Sequence, residues 1–234
     1  MNKIQLKDSD LNKDIVLEKD KVNVLILENV TGLINIKVKG LDKLFIYIDS
    51  SNLKINFDIN NNLIVNTFSY NSTLNTNLDI NIEGVELDYV YSVVNEKENS
   101  LIMDINHNKK DTSSKVINHG LNLESNKLLF KVNAIIPKNI TGVKTSQDNK
   151  IILMKDNNSR IEPNLLVDND DVEASHSCYI GEFKEDDLFY LATRGLDKKD
   201  AIKILSRSFV LGNMDISFEE RKLILDKLDL YWRW

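Results

Sequence analysis

Apolar and polar residues alternate with a period of two through most of the first 183 positions. The segments "VNVLILE", "LINIKVK", "LFIYIDS", "LKINFDI" and "LIVNTFS" follow one another at roughly ten-residue intervals, and "LDYVYSVVN", "SLIMDIN", "KLLFKVNAII" and "KIILM" continue the series. Each reads as a half-buried strand. Short Asn, Asp, Gly and Ser clusters separate them, and these residues accept turn conformations at low cost. Only eight glycines and two prolines occur in 234 residues, so Asn is expected to take the left-handed turn positions. Short, evenly spaced strands fit a sandwich, a barrel or a solenoid. Asn at strand ends favours a solenoid in which these side chains stack from rung to rung, although no strict repeat is legible.

Beyond Phe183 the period becomes helical. The segment "KEDDLFYLATRG" sets Leu188, Leu191 and Ala192 on one face and stops at Gly195. A second helix starts at the N-cap Asp197 and carries Ala201, Ile202, Leu205 and Phe209 in a stripe. A third opens on the capping box Ser217 and Glu220, with Leu223, Leu225, Leu228 and Trp232 as apolar positions. The chain therefore divides into a β-domain, 1–183, and a helical domain, 184–234. Helices this short must lean on the β-domain, and any apolar face left over is open to a partner.

Composition narrows the classes. Hydrophobic residues make up 42% and charged residues 28%, enough for a sizeable core. The net charge of −6, without a basic stripe, argues against nucleic acid and against an anionic membrane surface. No signal peptide and no membrane-spanning stretch is legible. The one cysteine excludes an internal disulfide, and with no export signal this fits a reducing cytoplasm. P-loop, nucleophile-elbow and H-E-x-x-H motifs are absent, which removes nucleotide binding by a P-loop and the commonest hydrolase signatures.

The candidate chemistry lies in "DDVEASHSCYIGEF". Within a strand, His176 and Cys178 share one face and are able to hold a soft or borderline metal together. Equally, they read as ordinary β-domain residues. His107 and His119 are expected to be solvated or capping residues, and the acidic "DNDD" loop at 168–171 a solvated turn.

Residues 162–210 resemble the C-terminal part of the SufB/SufD family. The resemblance is carried by Pro163 and Leu165, by "VEASH" at 172–176, by Ile180 and Gly181, by "LFYLATRG", and by Ala201, Leu205 and Phe209 on the next helix. Upstream, 130–154 is similar to preceding rungs of that family, and His107, Thr112 and Ser114 are similar to an H…T-x-S stretch. The resemblance implies a right-handed parallel β-helix followed by a small C-terminal α-helical domain. It implies a scaffold subunit of iron–sulfur cluster assembly, handling a transient cluster shared with a partner chain. That partner would be a SufB-like sibling or a second copy, paired through the β-helix. A SufC-type ABC ATPase would dock on the helices, with Leu205, Phe209, Leu223 and Trp232 as its expected contacts. His176 falls on the family's cluster-site histidine, with Cys178 a weaker candidate ligand. The family's usual N-terminal helical domain is not seen in this sequence. Ser177 stands where the family has Gly, and the cysteine of SufB-like members has no counterpart, which makes the chain SufD-like. One alternative is a purely structural subunit that docks the ATPase and dimerises without holding a cluster. A polysaccharide-acting β-helix enzyme is opposed by the lack of clustered catalytic acids.

Overall fold

The computed structural model describes residues 3–6, 14–18 and 23–231. Among them, fifteen strands precede three helices. One parallel sheet, sheet A, holds the odd-numbered strands in the order β1 (Lys3–Leu6), β3 (Val24–Glu28), β5 (Lys43–Asp49), β7 (Leu63–Tyr70), β9 (Glu86–Asn95), β11 (Ser113–Asn122), β13 (Val143–Leu153) and β15 (Val172–Gly181). The other, sheet B, runs from β2 (Asp14–Glu18) through β4 (Thr31–Lys39), β6 (Asn52–Ile59), β8 (Thr73–Ile80), β10 (Asn99–His107) and β12 (Leu128–Ile136) to β14 (Arg160–Val167). Successive strands alternate between the sheets and each pairs with the strand two earlier, which is a parallel β-helix. The open possibilities of sandwich and barrel are thereby excluded.

The period-two patterning is the cause. Along β6 and β8 every second side chain is buried between the sheets, and the intervening ones face outward. Inward residues stack in columns, such as Leu44, Val65, Tyr89 and Val116 on successive rungs of sheet A. Outward on sheet B, amides stack as well. Asn56 donates to Asn35 (2.9 Å), Asn77 to Asn56 (3.0 Å), Asn133 to Asp104 (2.6 Å) and Asn164 to Asn133 (2.8 Å). Each amide donates toward the earlier rung, as expected for side chains stacked between rungs.

The turns use the predicted chemistry. Asn29, Ser50, Asn71 and Asp111 adopt positive φ, the left-handed region that Asn and Asp tolerate. Just beyond the first three, a serine ladder closes the corner: Val30 N–H donates to Ser51 Oγ and Ser51 N–H to Ser72 Oγ.

The helices are α1 (Glu185–Thr193), α2 (Lys198–Leu211) and α3 (Phe218–Tyr231). Asp197 caps α2 by accepting from Asp200 N–H at 2.8 Å. The Ser217–Glu220 box forms reciprocally at the start of α3. These helices seat on the outer face of sheet A, where Val90, Val94, Leu121 and Ile152 join Val210, Leu211, Ile224 and Leu228 in a second core. Side chains of the sheet also grip the end of α2. Ser92 Oγ donates to Val210 O (2.8 Å), and His119 Nδ1 donates to Phe209 O (2.9 Å) while its ring stacks on that of Phe209 at 4.3 Å. Asn66 bonds the backbone of Asp215 in both directions, and Lys227 pairs with Asp49 at 2.6 Å.

Phe130 is fully buried and meets Tyr91 edge to face at 6.1 Å across the interior. Replacing it with Ala removes this bridge between sheets. Denaturant unfolding is expected to show a loss of about 3–5 kcal/mol with an unchanged slope.

Candidate functional site

β15 is the last strand of sheet A and pairs only with β13, so the final rung has no successor among the described residues. Its register sets His176 beside Gln147 and Cys178 beside Asn149. Along β13, Thr145, Gln147 and Asn149 are buried, whereas Ser146, Asp148 and Lys150 lie on the outer side. His176 and Cys178 thus share the inward face of the terminal rung. They are nevertheless exposed, because no described residue caps them.

The interior changes character as it nears this end. The column that is apolar through Val65, Tyr89 and Val116 continues with Gln147 and then His176. Its neighbour passes from Tyr91 to Asn118, Asn149 and Cys178. Asn118 Nδ2 donates to Asn149 Oδ1 (2.8 Å), and Gln147 Nε2 donates to Asn164 O (3.3 Å) across to sheet B. The carbonyl Oε1 of Gln147 and Oδ1 of Asn118 are buried without a partner. Such groups cost about 1–3 kcal/mol each.

His107 completes this polar interior. It ends β10 and is fully buried, with Nδ1 2.8 Å from Thr112 Oγ1 and Nε2 3.0 Å from Ser114 Oγ. Thr112 Oγ1 donates to Lys109 O, so Nδ1 carries the proton and Ser114 donates to Nε2. Ser114 in turn accepts from Thr145 at 2.8 Å. Burial pushes the His107 imidazole down to about 4. His107 and His119 are thus buried, not solvated, and of the solvated or capping roles expected His119 takes the second, bonding the Phe209 carbonyl in the last turn of α2. They sit in opposite sheets, the first inside the helix and the second beneath α2. Burial also lowers His119, more than its bond to Phe209 O raises it.

On the outer side, Asp148 accepts from Lys150 Nζ and Ser177 Oγ, both at 2.7 Å. Burial alone would raise this carboxyl, but those bonds and nearby positive charge hold it below its ordinary value.

The expected docking residues separate. Leu205 is partly buried on α2. Phe209 and Leu223 pack against the second core, so they seat the helices on sheet A instead of offering a free face. Trp232 lies outside the described residues. Among the described residues of the helices, the strongly exposed apolar side chains are Phe189 and Tyr190 on α1, Ile204 on α2, and Phe218 and Leu230 on α3. Helical periodicity hid them, because the stripe it identifies is the one that seats the helices.

Among the described residues no single-chain group of three or more His, Cys, Asp or Glu side chains could hold a metal. The open end offers two donors, one imidazole and one thiol. The fold defines a parallel β-helix with an exposed terminal rung and a helical appendage. The family model for the SufBD core domain of SUF-system FeS cluster assembly matches residues 52–209, and the chain belongs to that family. Similar relatives include the iron–sulfur cluster assembly protein SufD of Bacillus subtilis, 23% identical over 133 residues, or 55% of this chain and 30% of that protein. The SufBD family protein PH1385 of Pyrococcus horikoshii is 37% identical over 79 residues, 31% of this chain and 18% of its own length. The chloroplastic protein ABCI7 of Arabidopsis thaliana is 45% identical over 49 residues, 21% and 10% of the two chains. The matched stretches thus span less than a third of these relatives.

Because His107 is held neutral, its stabilising contribution is present above the unfolded value of 6.5 and is lost as pH falls toward about 4. Melting midpoints should fall across that window. In His107→Gln this part of the acid sensitivity should disappear, together with some stability at neutral pH.

Proposed function

We propose that this protein is a non-catalytic scaffold subunit of a SUF-type iron–sulfur cluster assembly complex. The cluster under construction is its cargo. The observation that carries the reading is that the SufBD core match and the open terminal rung coincide on His176 and Cys178. An assembly scaffold must release what it builds. Ligands drawn from two chains across a separable seam meet that requirement, because parting the chains breaks the site. The β-helix pairs with a second such chain, a copy or a SufB-like sibling. A SufC-type ABC ATPase docks on the exposed apolar face of the helices and drives the opening. The grip of His119 and Ser92 on the end of α2, and of Asn66 on Asp215 just after it, would carry that motion into sheet A. No helix among the described residues is long and apolar enough to cross a membrane, and we assign the protein to the cytoplasm.

A second reading is a structural subunit that docks the ATPase and dimerises but holds no cluster. Among the described residues no group of three or more His, Cys, Asp or Glu side chains gathers at the open end, and this favours it. His176→Ala and Cys178→Ser separate the two readings. The scaffold predicts at least a tenfold loss of cluster loading in the assembled complex. Unchanged loading in both variants leaves the structural subunit.

Docking is tested by co-expression with the ABC ATPase of the same genome. Phe189→Asp or Ile204→Asp should abolish co-elution while leaving the melting midpoint within a few degrees, since both side chains are exposed.

A further inference from the structure

Between α2 and α3 the chain runs along the outer face of sheet A as a short strap, and three contacts hold it there. Met214 is buried in the second core. Asn66 Nδ2 donates to Asp215 O at 3.0 Å, and Asp215 N–H donates back to Asn66 Oδ1 at 3.1 Å. Lys43 Nζ pairs with the Asp215 carboxylate at 2.7 Å. Beside the strap lies a cavity of about 240 Å³. Asn213 and Asp215 form its wall, and two rows of sheet A form its floor. One row is Asn66, Val90 and Ile117, and the other is Ile64, Asp88 and Lys115. Strands below and a tethered strap beside make this cavity preformed, as small-molecule sites usually are.

The charges on the floor select the ligand. Asp88 and Lys115 are register partners on β9 and β11, strands about 4.8 Å apart. Neither belongs to an ion pair among the described residues, whereas the neighbouring charges are engaged: Lys43 with Asp215, Lys144 with Glu173 and Lys150 with Asp148. Glu86 lines the adjoining groove and not this cavity. A carboxylate and an ammonium thus stand side by side beside the apolar side chains of Ile64, Val90 and Ile117. A simple anion placed here would meet Asp88, and a simple cation would meet Lys115. A ligand carrying both charges satisfies both groups. We propose that this cavity binds an α-amino acid with a short aliphatic side chain. Its carboxylate accepts from Lys115 Nζ, its ammonium group donates to the Asp88 carboxylate, and its side chain lies on Ile64, Val90 and Ile117. The two head groups share one carbon, so together they span the gap between neighbouring strands. The volume falls below the roughly 300–1,000 Å³ of drug-sized sites, which restricts the ligand to a few heavy atoms. The bound amino acid touches the sheet and the strap at once, and so strengthens the seat of the helices by mass action. This binding is independent of the assembly reading.

The test titrates L-valine into the purified full chain and reads methyl shifts by NMR. The wild type should show saturable shifts at Ile64, Val90 and Ile117. Lys115→Gln and Asp88→Asn should each weaken binding by about tenfold or more, because each removes one charge-assisted contact. Both side chains are exposed, so the melting midpoints of the two variants should stay within a few degrees of wild type. Isovalerate, which is valine without the ammonium group, and isobutylamine, which is valine without the carboxylate, should each bind about tenfold or more weaker than valine. Methyls that do not move with valine up to its solubility limit overturn the site. Wild-type affinity in Lys115→Gln or Asp88→Asn, or isovalerate or isobutylamine binding as tightly as valine, overturns the recognition of a zwitterion.

Discussion

The structure rests on one constraint: each rung of a parallel β-helix satisfies its backbone only through the rung before and the rung after. Every interior strand has both neighbours, and the last one has a single neighbour. The chain thus builds a rigid stack that ends in an unsatisfied edge, and stacking dictates what that edge displays. Columns of like residues run the length of the helix because inward positions on successive rungs fall directly over one another. Where the columns change from Val and Tyr to Gln, Asn and His, the change occurs within the last three rungs of sheet A.

That change sets stability against function. The apolar rungs supply the burial that offsets chain entropy. The polar rungs bury groups that gain little by being there, and two of their amide oxygens find no partner. His107, Ser114 and Thr145 satisfy one another in a single directional chain, which lets polar side chains occupy the interior without collapsing it. The opposite face of sheet A belongs to the helices. Contacts by His119 and Ser92 to the end of α2, and by Asn66 to Asp215 in the loop after it, join the helical appendage to β11, β9 and β7 of that sheet.

Much of this was legible in the sequence. Period-two patterning marked most strands, and the capping residues Asp197 and Ser217 marked two helix starts. The repeat was not legible, because the rungs lengthen. Ladder partners lie 21 residues apart at Asn56 and Asn77, 27 at Asp79 and Asn106, 29 at Asp104 and Asn133, and 31 at Asn133 and Asn164. A fixed-period search fails on such a drift, although each extra residue is accommodated in a corner. Thr73–Ile80 and Ser113–Asn122 escaped notice since Asn, Thr and Ser occupy many of their positions. Burial of His107 and His119 depended on which sheet faces which neighbour, and no local pattern encodes that. His176 and Cys178 could be placed on one face by spacing alone. That the face is the open end of a stack became visible only when the strands were ordered.

The most direct measurement is residue-resolved amide exchange on β15. The N–H groups of Ala174, His176, Cys178 and Ile180 face the free edge, while those of Ser175, Ser177 and Tyr179 bond β13. If the terminal rung is an interface between chains, all seven amides exchange slowly at high protein concentration, and the four edge amides alone become fast on dilution. Edge amides that exchange rapidly at every concentration, in the free chain and in the assembled complex alike, would contradict it.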